Sequence, residues 1–228
     1  MCGRYTRKYT WREVREFLDL IFAVPEMPPS YNVAPTQSIP IVRLRETGER
    51  ELALARWGIV HAWSKEPASG PPLFNARSET IADRPAFRSA FRARRCVVPI
   101  SGYYEWKKTG DARQAYYVTR ADASIVLLAG LWERREAPGE CALESATIIT
   151  TPPNVALSEL HDRMPAVIEP ESVGVWLDSA ASPESLAALL APAAAGLLRA
   201  HPVSSRVSNP KNDDPTLCER VEPMGLFG

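Results

Sequence analysis

Residues 96–106 read Cys96-Val97-Val98-Pro99-Ile100-Ser101-Gly102-Tyr103-Tyr104-Glu105-Trp106. Apolar, β-branched and aromatic side chains fill nearly every position, which suits a strand, and Gly102 marks a bend or bulge within it. Toward the C-terminus, 115–120 and 124–132 predict a hairpin about Ala121-Asp122, and 142–151 predicts a further strand. Toward the N-terminus, 38–44 and 51–57 predict two strands joined by a turn near Thr47-Gly48. Helical spacing of Trp11, Val14, Phe17, Leu18 and Ile21 predicts a helix over 10–20, with Thr10 and Glu13 as a capping box. A second helical stretch, 78–94, is interrupted by Pro85, which can itself open a helix. Short helices are expected at 154–160 and after Ser182-Pro183-Glu184, the latter a peripheral Ala-rich helix interrupted by Pro192, with a last strand at 202–205. Pro-rich loops cover 25–35 and 67–72. The strands cluster without β-α alternation, so the expected class is α+β with largely antiparallel sheet. No linker or internal repeat divides the chain, so residues 1–228 are expected to form one domain.

The bulk numbers narrow the function. The 228 residues carry 27 Lys plus Arg and 27 Asp plus Glu, a formal net charge of zero that argues against a generic polyanion binder. A local basic groove stays compatible with this, and Arg84, Arg88, Arg92, Arg94 and Arg95 form an acid-free basic run that also reads as a solvated helix face. The four cysteines, Cys2, Cys96, Cys141 and Cys218, are far apart and form no C-x-x-C pair, which argues against a zinc ribbon or a thioredoxin motif. No leader-like segment opens the chain and no apolar stretch approaches the ~20 residues of a membrane span. A reduced, cytoplasmic protein with free thiols is expected, without metal or cofactor and without membrane attachment.

Four places could carry chemistry. Met1 is commonly removed when a small residue follows, and Cys2 would then present an amine and a thiol on one residue. Such a 1,2-aminothiol condenses with an aldehyde to an imine, and the sulfur closes onto the imine carbon to give a thiazolidine. An α-amino group has a pKa of about 7.7–8.0 against about 10.4 for lysine, so its nucleophilic fraction at neutral pH is larger by on the order of several hundredfold. The thiol would be partly ionised, more so with an arginine nearby. Asn75-Ala76-Arg77-Ser78-Glu79 offers an amide donor and acceptor with a phosphate-binding fork, or equally a helix cap with surface charges. Glu105 within an aromatic strand is a candidate acid or base, and Trp106 could stack on a base or fill a core. His161-Asp162-Arg163-Met164-Pro165 puts a histidine suited to proton transfer on a loop.

Together with Met1-Cys2-Gly3-Arg4-Tyr5, Tyr31-Asn32-Val33-Ala34-Pro35 and Pro202-Val203-Ser204, these motifs occur in an order that resembles the SRAP family, the SOS response-associated peptidase domain proteins. The resemblance runs from Cys2 to about Cys218, nearly the whole chain. It implies a barrel-like core of antiparallel sheets with peripheral helices and a basic groove. It also implies an abasic-site sensor in the DNA damage response. Such a protein binds single-stranded DNA and single-strand/double-strand junctions and captures the opened abasic sugar as a covalent thiazolidine. The sequence shows no oligomerisation surface, so a monomer is expected, cytoplasmic and at the nucleoid when bound to DNA. By position, Cys2 would be the nucleophile, Glu105 would handle protons at the amine, His161 would act as acid and base, and Asn75 would hold the sugar. Arg4, Arg77 and Arg163 would contact phosphates, with Trp63 and Trp106 along the DNA path. A lyase-like activity and a peptidase step that removes Met1 are further implications. The chain departs from the family where His61 replaces a more frequent proline and where Ser208-Asn209-Pro210 replaces a more usual Asn-Asn-Pro. Two other readings remain at this stage, an N-terminal-nucleophile amidohydrolase and a non-catalytic single-strand binder.

Overall fold

The apolar runs 96–100 and 126–131 are buried at every residue, the mark of strands covered on both faces. The computed structural model describes residues 2–21, 27–64, 72–110, 112–139 and 141–223. In chain order the elements are β1 (Tyr5–Arg7), α1 (Trp11–Leu18), β2 (Ser30–Val33), β3 (Ser38–Leu44), β4 (Arg50–Trp57), β5 (Asn75–Arg77), α2 (Pro85–Ala93) and β6 (Arg95–Ile100). There follow β7 (Gly102–Thr109), β8 (Ala112–Arg120), β9 (Val126–Arg135), β10 (Leu143–Thr151), β11 (Met164–Pro165), α3 (Val173–Leu177), α4 (Pro183–Ala188) and β12 (Leu198–Pro202). The class is α+β, as the sequence predicts.

One sheet runs β10-β4-β3-β6-β9, and β9 pairs again with β10, so five strands close on themselves into a barrel. Closure removes the exposed edges that an open sheet must protect. Alternation along its strands sorts two cores. Cys96, Val98, Ile100, Val126 and Leu128 face one cluster that also takes in Tyr5, Val33 and Tyr103 from the second sheet. Val97, Leu127, Ala129 and Leu131 face a second cluster, where Trp11, Phe87, Phe91 and Trp176 of the helices cover the barrel. Each fully buried aliphatic side chain of this kind contributes about 1.5–3 kcal/mol.

The second sheet has the order β12-β8-β7-β1-β2. It explains two departures from the sequence reading. The stretch 96–106 is two strands in different sheets, parted at Ser101, with Gly102 opening the second. A Cβ at Gly102 would lie 2.6 Å from the Tyr117 ring, which accounts for the glycine by close approach. The hairpin expected about Ala121-Asp122 does not form, because β8 pairs with β7 and β12 whereas β9 belongs to the barrel. The hairpin is instead β7–β8, turning near Gly110 at φ 61°.

The helices are shorter than expected. α1 ends at Leu18 because Asp19 turns left-handed, leaving Ile21 exposed, and its predicted capping box is present. Pro85 opens α2 as the first-turn rule allows. Residues 154–160 form turns rather than a helix, with Asn154 Oδ1 accepting from the Leu157 amide. The Ala-rich stretch is helical only over Pro183–Ala188, and the last strand falls at Leu198–Pro202 rather than 202–205. The basic run divides by burial. Arg95 is buried and donates to four backbone carbonyls, Arg94 pairs with Glu133, and Arg84, Arg88 and Arg92 are exposed. Among the described residues no helix is long and apolar enough to cross a membrane.

Candidate active site

Strand order brings the start of the chain to Glu105. β1 lies antiparallel to β7 with Tyr5 opposite Tyr103 and Thr6 opposite Gly102, and the Tyr104 amide donates to the Arg4 carbonyl. Continuing this register sets the residues before Tyr5 alongside Glu105 and Trp106. On β7 the side chains alternate. Tyr103 joins the cluster that contains Cys2, and Tyr104 packs in a small core on the other face with Tyr117 and Val203. Glu105, two residues from Tyr103, shares the Cys2 side.

Cys2 is fully buried. Asn75 Nδ2 donates to the Cys2 carbonyl at 2.9 Å, so the first residue of β5 holds the backbone of Cys2 in place. Asn75 is fixed in turn by β5 running parallel to β10, with Asn75 opposite Ile148. Its Oδ1 is buried and has no hydrogen-bond partner among the described residues. Burial pushes the Cys2 thiol well above its ordinary range, and the negative charge of Glu105 adds to the effect, while the positive amino terminus opposes it. An arginine nearby would have increased the ionised fraction of this thiol. The structure puts a carboxylate there instead, and with burial as the larger influence it keeps the thiol pKa raised. Glu105 is 3% exposed, and burial raises its carboxyl above the usual carboxylate range, opposed by the amino terminus and His161.

His161 completes the group. Its Nε2 lies 3.4 Å from Glu105 Oε1. Its Nδ1 has two neighbours, the Arg163 backbone amide at 3.0 Å and Asp162 Oδ1 at 2.6 Å. One nitrogen does only one of these jobs at a time: bare, it accepts from the amide, and protonated, it donates to Asp162. Phe74, Glu105, Trp106, Lys108, Arg113 and His161 are among the residues lining a cleft of about 650 Å³.

The three arginines differ. Arg77 is exposed. Arg4 donates to Asn32 Oδ1 and to the Val207 and Ser208 carbonyls at 3.0, 2.9 and 3.2 Å, tying the C-terminal segment to the first strands. Arg163 forms a two-pronged pair with Glu79 and donates to the Thr150 carbonyl at 2.6 Å. Trp63 is 74% exposed and stacks on His61, with ring centroids 4.9 Å apart and planes 7° apart. Trp106 is half-buried and its Nε1 donates to Ser208 Oγ at 3.2 Å. Both departures from the family pattern, His61 and Ser208, thus touch a tryptophan.

Sequence reasoning does not single out Glu79, Asp162 or Phe74. Glu79 and Asp162 lie inside the quoted motifs, so their spacing from Asn75 and His161 was the available signal, but nothing local tells which side chain meets which. Met1 lies outside the described residues. Among the described residues no group of three or more His, Cys, Asp or Glu is arranged to hold a metal ion.

A closed barrel is thus flanked by a second sheet, with Asn75 and Glu105 at Cys2 and His161 against Glu105. The chain belongs to the SRAP family: the family model, "SOS response associated peptidase (SRAP)", matches residues 1–210. Among its relatives is the abasic site processing protein YoqW of Bacillus subtilis, 34% identical over 96% of this chain and 99% of that protein. The abasic site processing protein YedK of Escherichia coli is 31% identical over 97% of this chain and all of that one. A crystal structure of a protein from Bacteroides thetaiotaomicron superposes with a TM-score of 0.85 at 25% identity, covering 97% of this chain and all of that one.

Proposed function

We propose that this protein processes abasic sites in single-stranded DNA by capturing the opened sugar aldehyde as a thiazolidine on Cys2, once Met1 has been removed. The observation that carries the reading is the grouping of Cys2 with Asn75, Glu105 and His161, in a chain whose relatives bear the name abasic site processing protein.

The steps balance without a cofactor. The Cys2 amine attacks the aldehyde carbon, and an acid passes a proton to the developing hydroxyl. Loss of water gives an imine. The Cys2 sulfur then attacks the imine carbon while its proton moves to the nitrogen, closing the five-membered ring. Glu105 supplies the proton relay at the amine and thiol, because its raised pKa lets it hold and release a proton nearer neutrality. His161 exchanges that proton with the cleft and protonates the departing oxygen. Asn75 holds the sugar end through its buried Oδ1. The protonated thiol fits this order, in which the amine acts first and the sulfur only closes the ring.

Arg77 and Trp63 are the exposed candidates for phosphate contact and base stacking, with Trp106 at the cleft. Arg4 and Arg163 would reach phosphates only by exchanging present partners. The capture shields a lesion in the DNA damage response and requires a single copy of the chain. Self-removal of Met1 by the same residues is the secondary part of the proposal; an in vitro synthesised chain incubated alone should lose Met1, and should keep it after Cys2→Ala. The main test is denaturing electrophoresis after mixing the mature protein with an oligonucleotide carrying one abasic site. A heat-stable shifted band is expected. Its absence from protein lacking Met1 would reject covalent capture and leave single-strand binding or amide hydrolysis.

A further inference from the structure

Arg163 stands two residues after His161, and its guanidinium is spent inside the molecule. Nη1 and Nη2 meet the two Glu79 carboxylate oxygens, the second pair at 2.9 Å, and Nη2 also reaches the Thr150 carbonyl at 2.6 Å. The Arg163 side chain is only 10% exposed, so this fork is well shielded on the arginine side. A planar fork matched to a carboxylate fixes orientation as well as distance. The Arg163 backbone amide, on the same residue, donates to His161 Nδ1 at 3.0 Å. In the neutral ring that bond, made in competition with donation from Nδ1 to Asp162 Oδ1 at 2.6 Å, leaves the proton on Nε2, the atom 3.4 Å from Glu105 Oε1.

We infer that Glu79 is a positioning residue, which clamps Arg163 so that the Arg163 amide holds His161 in the tautomer presenting Nε2–H to Glu105. Two strands and a loop are joined by the clamp. Thr150 belongs to β10, Glu79 follows β5, and β5 and β10 pair at Arg77–Thr150. The loop carrying His161 is thereby referred to the same pair of strands that positions Asn75. Among the described residues, the charged groups facing His161 include Glu105 from β7 and Asp162 from its own loop. Lys107 pairs with Glu159, and Glu159, Lys108 and Arg113 line the cleft around the histidine. Glu79 touches none of the reacting atoms, so it acts only through Arg163. The pairing also changes what Arg163→Lys should do. A lysine keeps the charge for a phosphate but cannot reproduce the fork.

The direct test is nitrogen-15 NMR of the imidazole rings at a pH of about 8, where an ordinary histidine with a pKa of about 6.5 is neutral. The chain has only three histidines, His61, His161 and His201, so assignment by His61→Gln and His201→Gln is simple. Wild type should show His161 with its proton on Nε2. Glu79→Gln and Arg163→Lys, each confirmed folded by thermal melting, should show a mixture of tautomers. A single unchanged tautomer in both variants would overturn the inference. This arm does not depend on DNA, so it decides the inference even if covalent capture fails. The kinetic arm rests on the proposed function. In both variants capture should slow roughly tenfold with an altered pH profile. Affinity for intact single-stranded DNA should stay within about twofold, since a phosphate contact is not what is lost. A normal pH profile with a salt-sensitive binding loss would instead return Arg163 to the phosphate backbone.

Discussion

Cys2 and Cys96 are both fully buried, and burial pushes both thiols well above their ordinary range. Their second influences have opposite signs. The Arg43 charge pulls Cys96 back down, whereas Glu105 drives Cys2 further up. Cys96 is hemmed in by the barrel, where a Cβ on Gly130 would come within 3.0 Å of its sulfur. Cys2 has its carbonyl held by Asn75 and lies on the side of β7 that carries Glu105, with His161 beyond. Burial and thiol acidity therefore do not set Cys2 apart from Cys96. Its position next to the chain's amino end and beside Glu105 does, and it is on this that the proposed capture rests.

The contrast breaks most sharply at Cys2 itself. Cys2→Ser should abolish the heat-stable crosslink to abasic DNA on denaturing gels, because a hydroxyl closes the ring poorly. An equally persistent band would show that the sulfur is not needed. Next in size, Glu105→Gln should slow capture or reversal by about 10²–10⁴-fold, the range for a lost acid–base group. Single-turnover gel kinetics with unchanged rates in both directions would remove Glu105 from the chemistry. Cys96→Ala should leave capture rates intact and cost about 1–2 kcal/mol of stability through the small void it opens. Chemical denaturation alongside the capture assay reads both, and a capture defect in a folded Cys96→Ala would erase the distinction between the two cysteines.

Glu105 sharpens the comparison in a second way. Its folded pKa lies above the unfolded value, so ionising it in the folded protein costs stability once pH exceeds the ordinary carboxylate range. Glu105→Gln should therefore raise the melting temperature at neutral pH, by roughly 2–4 °C for each kcal/mol relieved in a chain of this length. The gain should shrink as pH falls and the wild-type carboxyl protonates; a loss of stability at neutral pH would contradict the desolvated carboxylate. The smallest effect belongs to exposed Arg77. Arg77→Ala should weaken single-strand affinity more at low salt than at high, reducing the log–log salt slope by about 0.7. A salt-independent defect would make it a structural residue.

The sequence carries the class and most strand positions because double-sided burial leaves unbroken apolar runs such as 126–131. It carries the α1 start because the capping box is a local pattern that the structure retains. Partner choice is not local. Nothing in 115–132 tells that β8 and β9 part into different sheets, and the apolar continuity across Ser101 hides a change of sheet. The Ala-rich stretch scores as helix by propensity alone, yet Pro192 and tertiary packing leave it six helical residues. The candidate site divides the same way. Cys2, Asn75, Glu105 and His161 are visible as residue types in motifs, while the Glu79–Arg163 fork and the approach of Glu105 to Cys2 depend on contacts between distant segments.

Thiazolidine capture is tested most directly by where the covalent bond lies. Mass spectrometry of the peptide released from a crosslink to abasic single-stranded DNA, after treatment with iodoacetamide, locates it. A chain lacking Met1, with the sugar mass on Cys2 and that sulfur protected from alkylation, is the predicted result. An adduct on a lysine, or on Cys2 with its sulfur still open to alkylation, would contradict the thiazolidine.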